Sequence, residues 1–267
     1  MDMTDLNDPR FATTLARGLS VLRAFRVTDD GLSNAEIAQR TGLPKSTVSR
    51  LTFTLGQLGY LVQSPRDDRF RPGPTLVAVG HVAAASLSFL VPAHDLMQRL
   101  AEETGTLVVL AVRDGEKMVL IRTWRPTHVA SIWLEVGQRI PFQPFSSPRA
   151  FVAAATPEEI DRIVSESIAD RDAMADLLTT RPLVRTEMMR QGFVSTPAGS
   201  GPATYNAVSV PFRSGNLAEP VIFTCGALPS EASVERMQSD VGPRLAAAVR
   251  TLERLTGQAP GLIRTEA

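Results

Sequence analysis

The first part of the chain repeats apolar residues every three or four positions, which is the period of an amphipathic helix. Leu15, Leu19, Leu22 and Phe25 follow this spacing, so their side chains share one face of a predicted helix over residues 14–25. This helix is therefore expected to pack its apolar stripe on neighbouring elements and to leave the other face in solvent.

Two further helices have clear start and stop signals. Ser33 and Glu36 have the three-residue spacing of a capping box, in which each side chain bonds to the backbone N–H of the other residue. Gly42 can adopt the left-handed conformation that ends a helix, and Pro44 suits the start of the next one. The sequence thus predicts a short helix, a tight glycine turn and a third helix over residues 45–58.

The second and third helices have the pattern of a helix-turn-helix. Ala38 is small enough to allow a close crossing, and Val48 and Leu51 are apolar anchors on the inner face of the last helix. The outer face at the start of that helix is polar and basic, as the major groove of DNA requires. Taken alone, the pattern is equally typical of two packed helices with a solvated face. The outer positions are Lys45, Ser46, Thr47, Ser49 and Arg50.

A basic hairpin after the third helix favours DNA binding over the simpler alternative. Two short strand candidates flank a turn over residues 65–71, which carries Arg66, Arg69 and Arg71 and is typical of a wing. Because capping, crossing residue, turn glycine, polar face and basic hairpin agree, we predict contact with double-stranded DNA. The predicted contact residues are Arg17, Arg40, Lys45, Ser46, Thr47, Ser49, Arg50, Arg66 and Arg69.

Residues 72–94 form a long uncharged stretch rich in Val, Ala and Leu. A membrane span is one interpretation, but Pro74 and Pro92 interrupt the stretch and no aromatic belt flanks it. A helix from Pro74 to Phe89, ended by Pro92, fits better. Its apolar character on all sides predicts a seam between two copies of the chain. The predicted seam residues are Leu76, Val79, Ala83 and Leu87.

The second half of the chain alternates between strand-like and helical patterns. Residues 107–112 and 118–121 are apolar runs joined around Asp114 and Gly115, which is a strong hairpin signal. A second apolar pair of strands covers residues 205–212 and 221–228. Helical patterns near residues 157–168, 182–191 and 230–256 are expected to pack around such a sheet, which gives an α/β domain.

Composition narrows the class of protein. Apolar residues make up 43% of the 267 positions, enough for a sizeable core, and 28 basic residues balance 28 acidic ones. Residues 10–72, however, contain ten basic and only five acidic residues, a local excess of positive charge that suits nucleic acid. A single cysteine excludes an internal disulfide, and the first residues lack the pattern of a signal peptide. We therefore expect a cytoplasmic protein.

Three segments resemble the IclR family of bacterial transcription regulators: Leu15–Leu22, Ile37–Val48 and Leu55–Tyr60. The resemblance continues more loosely through the second half, for example at Val136–Pro141 and Val210–Pro211. It implies an α+β chain with an N-terminal winged helix-turn-helix, a linker helix used in dimerisation, and a C-terminal GAF-like α/β domain that binds a small effector, commonly an organic acid. The corresponding boundaries are residues 10–72, 73–90 and 91–259. The implied assembly is a homodimer or homotetramer, with no cofactor and no metal.

An anion site is expected at the start of a helix near residue 147. Ser147 is placed at the N-cap and Pro148 at the first helical position, which leaves backbone N–H groups and a positive dipole end free for a carboxylate. A capped helix that binds nothing is the simpler alternative. The resemblance favours the site, because family members hold effector at the matching segment.

This chain departs from the family pattern around that site. The segment Gln143–Arg149 replaces the usual histidine-containing run, the loop Pro197–Ala203 lacks the usual acidic residue, and Phe223 and Cys225 replace serines. These changes predict a more apolar, aromatic pocket than a two-carbon acid needs, although each aromatic residue taken singly fits a core position equally well. The predicted effector-binding residues are Trp124, Trp133, Phe142, Phe145, Ser146, Ser147, Arg149, Tyr205, Ala207, Ser209, Phe223 and Cys225.

An enzyme is the alternative class. Cys225 could act as a nucleophile with His81, His94 or His128 as base, but a lone cysteine in an apolar strand is more often buried packing. The sequence contains no nucleophile elbow, zinc-protease helix or phosphate-binding loop, and its three histidines lack metal-ligand spacing. We therefore expect a regulator and no catalytic residues.

Overall fold

The computed structural model describes residues 10–166, 171–196, 205–258 and 260–261. The chain divides into two compact units between Ser86 and Leu87, so the predicted linker over residues 73–90 is shared between them. The helices are α1 (Thr13–Arg23), α2 (Asn34–Thr41), α3 (Lys45–Gln57), α4 (Pro74–Ala85), α5 (Leu90–Thr104), α6 (Ser146–Ala154), α7 (Pro157–Glu166), α8 (Arg171–Gln191), α9 (Val234–Arg236) and α10 (Gly242–Thr256), with a π-helical turn at Met237–Val241. The strands are β1 (Leu61–Gln63), β2 (Phe70–Pro72), β3 (Leu107–Asp114), β4 (Lys117–Trp124), β5 (Arg139–Pro141), β6 (Val194–Ser195), β7 (Asn206–Phe212) and β8 (Val221–Ala227).

The first unit contains helices α1 to α4 and a two-stranded antiparallel hairpin, β1–β2. The capping box predicted from the sequence is present, since the Ser33 hydroxyl accepts from Glu36 N–H and the Glu36 carboxylate accepts from Ser33 N–H. Gly42 ends α2 with a φ of 70°, a conformation that costs glycine little. The helices and the hairpin enclose a small core of Val21, Leu32, Ile37, Ala38, Val48, Leu61 and Phe70. The apolar stripe predicted for α1 packs only in part, since Leu22 and Phe25 contact this core whereas Leu15 and Leu19 are 62% and 50% exposed.

The second unit is built on a six-stranded antiparallel sheet in the order β5-β4-β3-β8-β7-β6. Successive side chains of a strand point to opposite faces, so the two faces carry separate cores. One face packs against α5, α10 and the π-helical turn, and the other against α6, α7 and α8. The predicted class, an α+β chain with an N-terminal helix-turn-helix and a C-terminal α/β domain, is confirmed.

Several element boundaries differ from the prediction, mostly at prolines. The helix expected to reach Phe89 ends at Ala85, and Pro92 lies inside the first turn of α5, where a missing N–H donor costs nothing. The helix α5 had not been predicted. Pro182 does not begin a helix but lies in the middle of α8.

No helix among the described residues is by itself long and apolar enough to span a membrane; α4 and α5 meet that test only when counted together.

Candidate functional site

The N-terminal half of α3 presents a polar, basic surface. Lys45, Ser46, Ser49 and Arg50 are exposed, and Thr47 is half-buried. Within the described residues, the side chains of Lys45 and Arg50 form no ion pair, so both charges are available to a ligand. The opposite face of the helix is buried, which fixes the direction in which this surface points.

Side-chain contacts tie α2 to α3 and to the connection between α1 and α2. The Thr52 hydroxyl on α3 donates to the Asn34 side-chain oxygen at the start of α2, with 2.9 Å between the oxygens. Arg40 near the end of α2 makes a two-pronged ion pair with Asp29 at 2.5 and 2.9 Å and also donates to the Ala24 carbonyl. The bond from Arg40 lowers the pKa of the Asp29 carboxyl. The Arg40 guanidinium, predicted to contact DNA, is thus engaged within the first unit.

The wing is tied to the helices by its own arginines. Arg69 pairs with Glu36 at 2.7 Å, which links β1–β2 to the capping box of α2. Arg71 lies 2.9 Å from both Asp30 and Asp67, and its bond to Asp67 lowers the pKa of that carboxyl. Two other residues predicted to contact DNA, Arg17 and Arg66, form no such ion pair among the described residues.

These two residues are Arg17 on α1 and Arg66 at the tip of the wing. Both are exposed, and neither guanidinium has a side-chain partner in the part of the chain that the structure describes. Together with Lys45 and Arg50 they form the set of predicted DNA contacts whose positive charge is not already neutralised. In contrast, Arg40 and Arg69 are already paired. Arg40 holds the connection between α1 and α2, and Arg69 holds the wing against α2.

The second unit contains a partly enclosed cavity of about 270 Å³ beneath α6, on the α6–α8 face of the sheet. Its wall is mostly apolar and draws on β3, the connection between β4 and β5, β7 and β8. The apolar lining residues are Leu107, Val109, Ile132, Leu134, Ile140, Pro141, Phe145, Ala207 and Gly226. The polar lining residues are Gln138, Arg139, Ser146, Ser147, Thr196, Tyr205 and Thr224.

Helix α6 points its N-terminus at this cavity. Its N-cap is Phe145, two residues earlier than the sequence predicts, and no side chain caps the helix. The Ser146 N–H donates to the Thr196 hydroxyl at 3.2 Å. Ser147 is only 5% exposed, and its hydroxyl has no hydrogen-bond partner among the described residues. Ser147 therefore supplies an unsatisfied polar atom beside the positive end of a helix dipole, which is what a carboxylate needs.

Other parts of the second unit hold α6 in position. Three arginines donate to the carbonyls of its last turn and of the residue after it: Arg181 to Val152 and Ala155, Arg185 to Ala153, and Arg213 to Ala154. Positive charge at a helix C-terminus is favourable for the dipole. The cavity end of α6 is anchored by a row of hydroxyls, since Ser209 bonds to Ser146 at 2.9 Å and to Thr224 at 2.7 Å.

Three of the predicted pocket residues lie on the wrong face of the sheet. Phe223, Cys225 and Trp124 pack in the core between the sheet and α5 and α10, because the strand alternation that sends Thr224 and Gly226 to the cavity sends their neighbours the other way. Phe223 contacts Trp124 with 6.1 Å between ring centroids. The sequence argument grouped residues within each strand correctly but could not assign the two strands to a common face.

Cys225 is fully buried in that core. Burial raises the pKa of its thiol to about 12, so at neutral pH it stays protonated and is a poor nucleophile.

The remaining predicted pocket residues that miss the cavity have other partners. Phe142 is buried beside Phe151 with ring centroids 5.7 Å apart. Trp133 is 73% exposed and stacks under the Arg125 guanidinium, 4.3 Å from its ring centroid. Arg149 turns away to Glu187 at 3.1 Å and to the Ser195 carbonyl. Ser209 lies behind the lining and does not reach the cavity. The predicted residues that do line it are Phe145, Ser146, Ser147, Tyr205 and Ala207.

Eleven lining residues were not predicted. Leu107 and Val109 could have been found from the alternation of β3, which places them on one face. The others come from an irregular connection or from strands whose partners the sequence does not reveal. The loop Pro197–Ala203, singled out for lacking an acidic residue, lies outside the described residues. Among the residues that are described, no group of three or more His, Cys, Asp or Glu could hold a metal ion.

Comparisons with known proteins agree on one family. The IclR helix-turn-helix domain matches residues 14–65, and the C-terminal domain of the bacterial transcriptional regulator IclR matches residues 81–189. The HTH-type transcriptional regulator TsaQ1/TsaQ2 of Comamonas testosteroni is 26% identical over 245 residues, which cover 90% of this chain and 87% of that protein.

Solved structures give the same result. The crystal structure of an IclR family transcriptional regulator from Brucella abortus is 30% identical, covers 93% of this chain and 94% of its own, and has a TM-score of 0.75. An IclR homologue from Microbacterium hydrocarbonoxydans, complexed with 4-hydroxybenzoate, shares the fold at 23% identity with a TM-score of 0.69, over 91% of this chain and 99% of its own.

Proposed function

Because this chain belongs to the IclR family of transcriptional regulators, we propose that α3 and the wing bind operator DNA and that the cavity beneath α6 receives an organic acid which changes this binding. The observation that carries the first part is the exposed, unpaired set of polar and basic side chains at the start of α3. The activity belongs in the cytoplasm, where bacterial DNA lies.

Within the DNA-binding surface, the residues divide into two roles. Lys45, Ser46, Thr47, Ser49 and Arg50 lie at the start of α3, the part of a recognition helix that contacts base edges. Arg17 and Arg66 are better suited to phosphate, because they lie off α3 and carry free charges. Arg40 and Arg69 support this surface through their ion pairs with Asp29 and Glu36.

The cavity suits a monocarboxylate with one bulky apolar group. The Ser147 hydroxyl and the start of α6 offer donors to the acid, and most of the remaining wall is apolar. A volume of about 270 Å³ is at the small end for a ligand site and limits the body of the ligand to about one substituted ring. Arg139 is the cation of the lining, although it also lies 3.8 Å from Asp114.

Helix α4 suits a contact between two copies of the chain. It has no buried residue within its own unit, and Val79 on the predicted seam is 51% exposed. Covering this surface with a second α4 would remove apolar area from water. We expect at least a homodimer, with the seam through Leu76, Val79 and Ala83. Leu87, the fourth residue predicted for the seam, follows the end of α4 and packs against the core of the second unit.

The assembly is tested by placing a charge in the seam. Ala83→Glu should lower the sedimentation mass to that of a monomer, because an unpaired carboxylate at an apolar contact is costly. Ala78→Glu, on the opposite side of the helix, is the matched control and should leave the mass unchanged. Equal masses for both variants and the wild-type protein would contradict the seam.

Catalysis by Cys225 has no support from the geometry. The thiol is buried on the face of the sheet opposite to the cavity and has a raised pKa. We therefore assign the protein no catalytic residue.

The proposal is tested by selecting duplexes from a random double-stranded library with the full-length chain. Gel shifts with the selected duplex then measure its affinity with and without 4-hydroxybenzoate, benzoate or glyoxylate, and calorimetry measures binding of each acid. We expect one enriched sequence and a change of its affinity with an aromatic acid. Failure to enrich any sequence would contradict the DNA-binding role, and tighter binding of glyoxylate than of benzoate would contradict the apolar pocket.

A further inference from the structure

The exposed face of α3 carries one large apolar side chain among its polar ones. Phe53 is 68% exposed, although phenylalanine is among the residue types most often buried. It follows Ser46 by seven positions and Ser49 by four, so the three side chains share one stripe of the helix. The ring takes no part in the core of the first unit, which uses Val48 from the opposite face.

The position of Phe53 along α3 places it within reach of a bound duplex. It lies eight residues after Lys45, about 12 Å along the helix axis, which is close to the width of the major groove, about 12 Å. Phe53 also lines a groove between α3 and β1, open to solvent, together with Ser49 and Val62. The ring therefore lies between the polar start of α3 and the wing, the two parts assigned to DNA.

The chemistry of the groove leaves one partner for such a side chain. Phosphates and most base edges present charge or hydrogen-bonding atoms, which an aromatic ring cannot satisfy. The C5 methyl group of thymine is the apolar feature of the major groove, and phenylalanine is among the side chains that contact it.

We propose that Phe53 contacts a thymine methyl group in the major groove and makes one thymine in each half-site a requirement for tight binding. This inference rests on the proposed role of α3 as the helix that enters the groove. It adds a specificity residue three positions beyond Arg50, the last residue of the polar cluster at the helix start.

The experiment removes the methyl group without changing base pairing. A duplex selected from a random library by the full-length wild-type chain is resynthesised with each thymine replaced in turn by deoxyuridine. At one position per half-site we expect deoxyuridine to weaken wild-type binding about fourfold, the effect of exposing one methyl group. The same replacement should leave the affinity of Phe53→Ala unchanged.

Leu58→Ala is the matched control, because Leu58 is also an exposed apolar residue, at 60%, but lies off the stripe. It should keep the wild-type response to deoxyuridine. Thermal melts followed by circular dichroism should show Phe53→Ala folded, since little of the ring is covered.

The outcomes separate this inference from the role of α3 itself. If the wild-type chain selects no duplex, the DNA-binding proposal fails. If it selects one but no deoxyuridine weakens binding, or if Phe53→Ala loses as much as wild type, only the thymine contact is overturned. One further result would overturn the thymine contact: Phe53→Ala lowers the sedimentation mass in the absence of DNA, and its DNA binding is still weakened by deoxyuridine. Phe53 would then contact a second copy of the chain and not the thymine.

Discussion

The DNA-binding surface and the cavity draw their residues from the chain in different ways. The start of α3 provides its contacts from five residues within one stretch of six positions, Lys45 to Arg50, in which only Val48 faces the core. The cavity takes residues from several strands, a helix start and their connections, which lie up to about 120 positions apart, between Leu107 and Gly226. A local helix period is enough to find the first kind of site, whereas the second requires knowledge of which strands are neighbours.

The two regions also differ in how they treat unpaired polar groups. On α3 the free charges of Lys45 and Arg50 are solvated, so leaving them without a partner costs little before DNA arrives. In the cavity the Ser147 hydroxyl is buried and unpartnered, which costs free energy until a ligand bonds to it. Exposed surface thus favours charge, and an enclosed site favours a few neutral donors.

The sharpest test of this comparison is a substitution that the sequence assigned to the cavity and the structure assigns to the core. Phe223→Ser should destabilise the protein by about 3–5 kcal/mol, as expected when a fully buried phenylalanine is truncated. Urea unfolding measures the loss. A stable Phe223→Ser protein with a preference for smaller acids would restore the original pocket assignment.

Ser147→Ala separates ligand binding from folding. Because the Ser147 hydroxyl is buried with no partner among the described residues, its removal should not lower the free energy of unfolding of the ligand-free protein and should raise it slightly. Binding of an aromatic carboxylate should weaken by about 1.5–3 kcal/mol, the contribution of a hydrogen bond to a charged group. Calorimetry and thermal melts of the same preparation give both numbers. A loss of about 1 kcal/mol of stability instead would indicate the capping role expected from the sequence.

Arg50→Ala tests the other region. Loss of a two-pronged contact to a base should cost about 1–3 kcal/mol of sequence discrimination, while acid binding in the second unit is unchanged. Arg122→Ala removes an equally exposed arginine from β4 and is the control for net charge. Equal DNA affinities of the two variants, measured by gel shift at one salt concentration, would argue against contact by α3.

The smallest expected effect concerns acid. The Arg40 bond lowers the pKa of Asp29, so the carboxylate stabilises the first unit above its ordinary pKa, and this contribution is lost as the pH falls through the lowered value. Asp29→Asn should therefore cost at most about 1 kcal/mol at pH 7 and less at pH 3. Thermal melts at both pH values measure the difference, and an equal cost at both would show that the ion pair contributes nothing.

The sequence by itself determined most of the first unit, although it placed Leu15 and Leu19 of α1 on the packed face and the structure leaves both exposed. The helix period, the Ser33–Glu36 capping box, Gly42 and the basic hairpin are all local signals, each set by contacts within a few residues. The polar face of α3 followed from the same period. The sequence did not reveal that Arg40 and Arg69 form ion pairs, because Asp29 and Glu36 become their neighbours only after folding.

Only the tertiary structure decided the cavity. Strand alternation separates Phe223 from Thr224 but cannot say which of the two faces α6, because that depends on the order of strands in the sheet and on the helices packed on each side. The N-cap of α6 is Phe145 and not, as the sequence predicts, Ser147. The hydroxyls of Thr196 and Ser209, from distant parts of the chain, bind Ser146 and fix the start of the helix there. The cavity is formed by contacts between residues far apart in the sequence, and such contacts produce no periodic pattern from which they could be predicted.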